Sequence, residues 1–308
     1  MNDFKEVYDK IYPELINIYE TDIKKENIKI SLKRKKLLKK IIIIDVIIII
    51  IIIILLLFCI VKVNLFAFIF NILLVMIIIS TLIYKFSFSK EKKQISDKFK
   101  NNIIKKLINS IYEEECILNI DNGIDENEYN SNIYGDNYNR YYSKDLVYLK
   151  ENKIFFSEVL VQYRTSGKHQ TTTTIFDGIA GQKHLNKNIN TNIIILSNRL
   201  FMENRVKLDS SEFEKYFDIK CEDKITAVRF LTADIMDMMI TLKEKYGCNF
   251  ELGIIGQVLY FRISTYRDFF EIPESHEGLN LDYLRKNVGI LLQIKKLTTL
   301  IDDVVKEI

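Results

Sequence analysis

Two stretches decide the fold of the larger part of this chain: "IFFSEVLVQYRT", residues 154–165, and "TTTTIFDGIAGQKHL", residues 171–185. Both are rich in β-branched and aromatic residues, which are enriched in strands, and polar residues separate them. Similar segments flank them, "DLVYL" at 145–149 and "NIIILS" at 192–197. The pattern predicts a meander of at least four antiparallel strands.

Helices and further strands are predicted after this meander. The segment 231–247 has the periodicity of a helix that stops at Gly247, and Ser211 with Glu214 has the spacing of a capping box. Near the end, "NFELGII" and "VLYFRIS" flank Gly256 and Gln257, a glycine-first pair typical of a two-residue hairpin turn. Residues 145–308 are therefore predicted to form an α+β domain with a mainly antiparallel sheet and a C-terminal helix.

Long amphipathic helices are predicted outside the sheet. An amphipathic, basic helix is expected within residues 1–40, and another within residues 85–120. Apolar residues three or four positions apart carry these predictions after residue 84: Ile95, Phe99, Ile103, Leu107 and Ile111, and in the C-terminal helix Leu281, Leu284, Val288, Leu291 and Ile294. Residues 121–144 are acidic, rich in Asn and Tyr and without a sustained period, which is typical of a linker.

Two apolar runs lie between the first two helices. Residues 41–61 contain one charge and residues 65–84 contain none, and each run is long enough to cross about 30 Å of hydrocarbon as a helix. Three residues separate them, so that the pair is predicted to form a transmembrane helical hairpin over residues 41–84. The predicted fold class is a membrane helical hairpin plus a cytosolic α+β domain with a mainly antiparallel sheet and long amphipathic helices.

Basic residues set the predicted orientation of this hairpin. Six cations precede it, against a lone Lys62 at its tip: Lys33, Arg34, Lys35, Lys36, Lys39 and Lys40. This asymmetry predicts a multi-pass protein of the cell (inner) membrane with both termini in the cytoplasm. The same six cations are expected to attract anionic lipid headgroups. The scattered cysteines agree with a reducing compartment.

Four polar residues fall inside the apolar runs: Asp45, Asn71, Ser80 and Thr81. Folding the hairpin about its tip places Asp45 opposite Ser80 and Thr81, so a hydrogen bond across the hairpin is one interpretation and an ion or proton site is another. Asn71 has no polar partner within the hairpin, which leaves association between hairpins as an alternative to simple tolerance.

The chain lacks the patterns of common catalytic and metal sites. The segment "TSGKHQTTTT" lacks the first glycine of a phosphate-binding loop. The three histidines of the whole chain have no zinc-binding spacing, so no cofactor or metal is expected. A formal net charge of +3 gives no sign of a nucleic-acid partner. Glu158, Asp177 and Asp223 are the weak candidates for a catalytic role, and a shared pocket would be needed to make them one site.

The order of several motifs resembles a known family. The segments are "KIFFSEVLVQYRT", "TTIFDGIAG", "NRVKLDSSEFEKYFDIKCEDKITAVRFLTADIMDMM" and "RDFFEI". Together they look like the bacterial membrane-anchored family called domain of unknown function thirty-one thirty-seven. The similar positions are Ser157 and Glu158, Phe176 to Gly178, Ser211 to Phe217, Asp223 to Thr232, and Phe270 with Glu271. The resemblance implies a fold and a membrane address but no activity.

The expected function is a membrane-anchored binding or scaffold module that faces the cytoplasm, with a protein partner or a second copy of the chain as candidates. This expectation rests on a well-developed α+β domain without a recognisable nucleophile, metal set or phosphate loop. Two alternatives stay open, a membrane-tethered enzyme of unrecognised type and a small oligomeric channel subunit.

Overall fold

The computed structural model describes residues 9–10, 12–14, 16–58, 79–80, 82, 89–129, 131–167, 170–197, 205–265, 269–271 and 281–308. The chain divides into two compact units, one of Leu15–Phe99 and one of Met1–Glu14 with Lys100–Ile308. The second unit contains the β-sheet and all the sites described below except the predicted lipid-headgroup residues and the residues of the predicted membrane hairpin.

Seven strands of the described residues form one sheet, in which every pairing is antiparallel. They are Ile117–Asn119 (β1), Arg140–Leu149 (β2), Ile154–Arg164 (β3), Thr172–Ser197 (β4), Arg205–Val206 (β5), Phe217–Cys221 (β6) and Phe250–Ser264 (β7). The order is β1-β2-β3-β4-β6-β5, and β7 pairs with β4 on the side away from β3.

Strands β4 and β7 each contain a reversal of the chain. Ser264 N donates to the Asn249 carbonyl at 3.0 Å, and Arg262 Nε donates to Glu251 at 2.6 Å, although a fully extended strand would hold these residues far apart. The predicted hairpin turn at Gly256 is therefore confirmed, and Gly256 has the positive φ, 61°, that the first residue of such a turn adopts. The predicted third and fourth strands, residues 171–185 and 192–197, are the two arms of β4 and pair with opposite arms of β7.

The helices of the described residues are Lys24–Phe58 (α1), Ser89–Phe99 (α2), Lys105–Tyr112 (α3), Glu126–Tyr129 (α4), Ser131–Tyr134 (α5), Ser211–Glu214 (α6), Lys224–Phe230 (α7), Ala233–Tyr246 (α8) and Leu281–Glu307 (α9). π-helical turns lie at Tyr19–Ile23 and Lys100–Ile104. The prediction for α8 is confirmed: the Thr232 hydroxyl caps its N-terminus, and Gly247 ends it with a φ of 67°. The cap of α6 is Ser210, one residue before the predicted Ser211, since the Ser210 hydroxyl accepts from the Phe213 N–H.

The membrane hairpin predicted for residues 41–84 is wrong. None of the helices that the structure describes is both long and apolar enough to cross a membrane. The helix that contains the start of the predicted first span, α1, is described from Lys24 to Phe58; it begins in a charged segment, and Asp45 lies within its apolar part. The two-span membrane partnership and the multi-pass inner-membrane location with cytoplasmic termini depended on this hairpin and are wrong with it.

Most of the predicted second span lies outside the described residues. Of residues 65–84, the structure describes Ile79, Ser80 and Leu82, and residues 59–61 of the predicted first span are also outside the described part. The fold class is corrected to a seven-stranded antiparallel sheet with helices.

The two faces of the sheet have different covers. On one face, helix α9 packs against β4 and against α3. On the other face, the buried side chains of Val159, Val161 and Phe176 pack against Tyr129 and Tyr134 of the short helices α4 and α5. Residues 121–144, predicted to be a linker, thus contain these two helices and the start of β2, because their tyrosines bury large apolar rings against the sheet.

Candidate functional site

A buried arginine holds the cover of α4 and α5 on the sheet. The Arg262 Nε donates to Glu251 Oε2 at 2.6 Å, and its Nη1 donates to the Tyr129 hydroxyl at 2.5 Å. Nη1 also pairs with Asp136, and the guanidinium lies over the Tyr134 ring with its carbon 4.1 Å from the ring centroid. We call Arg262, Glu251, Asp136 and Tyr129 the arginine cluster.

The electrostatics of the arginine cluster favour a fully charged ion network. Burial opposes the charge of Arg262, but the carboxylates of Glu251 and Asp136 outweigh it and raise the pKa of the guanidinium. Burial raises the pKa of the Tyr129 phenol, which therefore stays protonated and donates to Asp136 at 2.8 Å. Because these contacts join β7 to the segment before β2, the cluster has a structural role: it pins the cover.

A second ionic group lies on the opposite face, and we call it the lysine cluster. Lys100 Nζ lies 2.8 Å from Asp145 Oδ2 and 2.8 Å from Glu271 Oε1. Lys144 Nζ lies 2.9 Å from Glu271 Oε1 and 3.3 Å from Glu158 Oε2. Lys100 and Asp145 are buried, whereas Lys144 and Glu271 are partly exposed, so the cluster extends from the core to the surface.

The lysine cluster contains strained and desolvated groups. Asp145 has a φ of 59° at the bulge between Lys144 and Val147, a left-handed conformation that is unfavourable for a residue with a side chain. Burial raises the pKa of Asp145 and opposes the charge of Lys100, but hydrogen bonds to Asp145 and Glu271 leave the pKa of Lys100 raised. The ion pair therefore compensates two charges that burial alone would neutralise.

The three candidate catalytic carboxylates have separate surroundings. Glu158 belongs to the lysine cluster, and its Oε1 accepts the Phe270 N–H at 2.6 Å. Asp177 is half-buried in β4 opposite Leu160. Asp223 caps α7, where its carboxylate accepts from Ile225 N and Thr226 Oγ1, and the Thr226 bond lowers its pKa. The surroundings of Glu158 and Asp223 give each carboxylate a structural partner.

The predicted lipid-headgroup residues lie along α1. The described side chains among them are exposed: Lys33, Lys35, Lys36, Lys39 and Lys40. The side chain of Arg34 lies outside the described part of the structure. The exposure of these side chains does not identify a ligand, and their role stays a prediction.

The predicted intramembrane polar residues are described in part. The Ser80 hydroxyl donates to Asp45 Oδ2 at 3.4 Å, so the structure brings these two side chains together. Asn71 and Thr81 lie outside the described residues. The roles of all four residues stay predictions. Among the described residues, no group of three or more His, Cys, Asp or Glu side chains is placed to hold a metal ion.

An apolar row is exposed at the β1 end of the sheet. Ile117 of β1 lies directly opposite Tyr148 of β2, and Tyr148 lies opposite Phe155 of β3. Ile117 is 64% exposed, Tyr148 is 40% exposed and Phe155 is half-buried. Side chains directly opposite each other on neighbouring strands are in contact range, so the three form one continuous surface, which we call the edge row.

The edge row ends where the cover of α4 begins. Phe155 pairs with Gln182 of β4, whose side-chain amide donates to the Glu128 carbonyl at 2.6 Å. The next strand contributes Tyr260, which packs partly against the aromatic core under the cover. The uncovered part of this face is therefore the part nearest to the sheet edge.

β1 is held in place from its inner side. The Glu114 carboxylate accepts the backbone N–H groups of Glu151 and Asn152 at 2.7 and 3.0 Å, and the Asn109 side chain accepts the Cys116 N–H at 2.8 Å. Burial opposes ionisation of Glu114, but its hydrogen bonds from Asn152 and the backbone outweigh this effect and lower its pKa. These contacts anchor a strand of only three residues.

The outer edge of β1 presents backbone polar groups. Leu146 N donates to the Asn122 carbonyl at 2.9 Å, so Leu146 directs its N–H toward the β1 side of β2. Because this direction alternates along a strand, Tyr148 also faces β1 and its partner Ile117 faces β2, while the N–H and C=O groups of Leu118 point away from β2. Among the described residues, β2 is the one strand that pairs with β1.

The comparisons with known proteins identify part of the chain. Residues 174–306 match the family model described as "Protein of unknown function (DUF3137)". This segment is a DUF3137 domain. No curated protein and no solved structure matches the chain. The resemblance noted in the sequence is therefore confirmed for the family, whereas a bacterial source and a membrane anchor are not shown.

The DUF3137 match divides the sheet. It starts within β4 and ends in α9, so that β1, β2 and β3, with the whole edge row, precede the DUF3137 segment. The row belongs to the same sheet through the pairing of β3 with β4. The edge row is thus joined to the DUF3137 segment but is made of residues outside the match.

Sequence reasoning missed the edge row for a specific reason. Tyr148 lies in a segment that was correctly read as a strand, but the facing of its side chain depends on the bulge between Lys144 and Val147. Ile117 stands in a strand too short to show a period. The signal that could have found it is the uncharged run "CILNI" at 116–120, placed between acidic residues.

Proposed function

We propose that this protein is a polypeptide-binding module, and that its binding surface is the edge row together with the outer edge of β1. The observation that carries the proposal is the continuous exposed surface of Ile117, Tyr148 and Phe155 beside an edge of β1 that no other described strand pairs with. Single exposed apolar side chains are ordinary, but a continuous group next to a sheet edge is typical of an interaction site.

An added strand fits this edge. An extended peptide that pairs with β1 would satisfy the outward N–H and C=O groups of Leu118, which is the recognition mode of β-augmentation. Its side chains on the same face would cover Ile117. Fully burying an isoleucine side chain contributes about 1.5–3 kcal/mol, and most of the Ile117 side chain is still available for burial.

The composition of the edge row also agrees with protein binding. Tyrosine is enriched in the centres of interfaces because its ring buries a large apolar area while its hydroxyl finds a polar partner. The charged groups nearby are already engaged: Glu115 pairs with Lys105 at 3.1 Å, and Lys153 donates to Asn186 at 2.9 Å. The row is therefore the uncommitted part of this end of the sheet.

Site-specific photo-crosslinking tests the proposal. The full-length protein carries p-benzoylphenylalanine in place of Tyr148, or in place of Tyr142 as a matched control, because Tyr142 is a 51% exposed tyrosine of the same strand. We expect irradiation in cells to link a polypeptide at position 148 and not at position 142.

A second pair of variants checks that the edge row makes the contact. Ile117→Ser should abolish the crosslink from position 148, whereas Ile225→Ser, which changes a 66% exposed isoleucine on α7, should leave it unchanged. A crosslink that survives Ile117→Ser, or that forms equally at position 142, would refute the proposed binding surface.

A further inference from the structure

An unpaired lysine is buried in the sheet. Lys183 of β4 is 7% exposed, and its cross-strand neighbours, Ile154 of β3 and Leu259 of β7, are buried. Because Ile154 directly precedes Phe155, Lys183 lies on the face opposite to the edge row. Lysines are almost never buried this far without an ion pair. Lys183 is an exception, since its Nζ has no hydrogen bond or ion pair to any residue that the structure describes.

A carboxylate that acts on Lys183 is already engaged by another residue. Asp302 of α9 affects Lys183 through its charge, but its Oδ1 accepts the Asn186 N–H at 2.8 Å and its Oδ2 accepts from the Asn186 side-chain amide. The Asn186 Oδ1 in turn accepts from Lys153 Nζ at 2.9 Å. Asn186 thus binds an acidic and a basic side chain of this region, and neither of them bonds to Lys183.

The surroundings of Lys183 favour loss of its proton. Burial is the largest effect and lowers the pKa of Lys183. Asp302 and Asp303 of α9 raise this pKa, whereas Lys306 of α9 and Lys153 of the turn between β2 and β3 lower it, and the net result is a lowered pKa. A desolvated lysine near other cations is a common form of nucleophilic amine in proteins.

We infer that Lys183 is a modification site whose amine binds carbon dioxide as a carbamate. Only 7% of the residue is exposed, so the reagent must be small, and carbon dioxide is both small and uncharged. The amine nitrogen forms a bond to the carbon atom, one C=O bond becomes a C–O⁻ single bond, and the nitrogen releases one proton to solvent. The product is an anion, so Lys306 and Lys153, which oppose the ammonium, would attract it.

Carbamate trapping tests this site. The full-length protein is equilibrated with isotopically labelled bicarbonate at neutral pH, triethyloxonium converts carbamates into stable ethyl esters, and mass spectrometry of the peptides locates them. Lys150, an exposed lysine in the turn between β2 and β3, is the internal reference. We expect at least about five-fold more label at Lys183 than at Lys150, because each unit by which the pKa of an amine falls raises its neutral fraction about ten-fold.

Two variants with opposite expected effects test the electrostatic reason. Asp302→Asn removes a carboxylate that stabilises the ammonium of Lys183, so the label at this position should rise about two-fold or more. Lys306→Met removes a cation that lowers the pKa of Lys183 and attracts the carbamate, so the label should fall by about half or more. Lys183→Arg keeps a cation at this position and should give no label there.

Unfolding is the deciding control. In guanidinium chloride the two lysines lose their different surroundings, so the excess of label at Lys183 should disappear. An excess in the folded protein that is lost on unfolding supports the inference. Labelling of Lys183 no greater than that of Lys150 in the folded protein overturns it, as does an excess that persists in the denaturant. Label that falls with Asp302→Asn and rises with Lys306→Met also overturns it.

Discussion

Removing the charge of Arg262 should lower the free energy of unfolding, and the contacts of Arg262 give the size of the loss. Arg262 and Asp136 are buried, as is Glu251, and the guanidinium bonds to both carboxylates and to the Tyr129 hydroxyl. Arg262→Met keeps the apolar stem but leaves two buried carboxylates without their cation. Breaking a buried pair in this way costs about 3–5 kcal/mol.

Urea denaturation followed by far-ultraviolet circular dichroism measures this loss. With a slope of about 2 kcal/mol per molar urea, typical of a small protein, the unfolding midpoint of Arg262→Met should fall by about 1.5–2.5 M. The matched control is Lys306→Met, which removes a 2.7 Å ion pair to Asp303 whose two side chains are about half exposed. That exposed pair should contribute less than about 1 kcal/mol.

A compensated variant identifies the physical cause. Arg262→Met combined with Glu251→Gln and Asp136→Asn removes the unpaired charges, so it should recover much of the loss of the single variant, because replacing a whole buried ion network is often nearly neutral. The reasoning is refuted if Arg262→Met unfolds within 0.5 M urea of the wild type, a limit of about 1 kcal/mol at that slope, or if the triple variant is less stable than the single one.

Three other changes have outcomes set by single contacts. Gly289→Ala should destabilise the protein by less than about 2 kcal/mol in the same urea assay, because an added Cβ would lie 2.6 Å from the Tyr246 ring, which must shift, while the better helix propensity of alanine offsets about 1 kcal/mol of that cost; a midpoint above that of the wild type would contradict this packing. Lys100→Met should cost about 3–5 kcal/mol by leaving the buried carboxylate of Asp145 without its cation, and the double variant with Asp145→Asn should recover part of the loss. Glu114 has a folded-state pKa below its ordinary 4.5, so its stabilisation of β1 is present above pH 4.5 and is lost as the pH falls through the folded value. The protection factors of the amides of residues 151–152, measured by hydrogen exchange, should therefore fall over that range in the wild type. A Glu114→Gln variant should lack this pH dependence.

Local patterns were enough to predict several elements of the fold. The helix α8 follows from its periodicity, from a hydroxyl residue at its start and from Gly247 at its end, all of which act within one turn of the chain. Strands β3 and β4 follow from runs of β-branched and aromatic residues. The turn at Gly256 follows from a glycine-first pair between two such runs, whereas the pairing of β7 with β4 could not be predicted, since it joins segments far apart in the chain.

The predicted membrane hairpin shows the limit of hydrophobicity and length as signals. Both criteria were applied to runs of sequence, whereas the described helix that contains the start of the first run begins among cations at Lys24 and includes Asp45. Charged and apolar segments thus share one helix, which the apolar run alone does not indicate.

The sequence by itself determined the strand-forming segments, the capped helices and the membership of residues 174–306 in their family, because each depends on residues close together in the chain. Only the tertiary structure decided the edge row and the two ionic clusters. Ile117, Tyr148 and Phe155 become neighbours through strand register, and Arg262 meets Asp136 across 126 positions of sequence. No local pattern records such pairs, because the side chains interact with each other through the folded sheet and not along the chain.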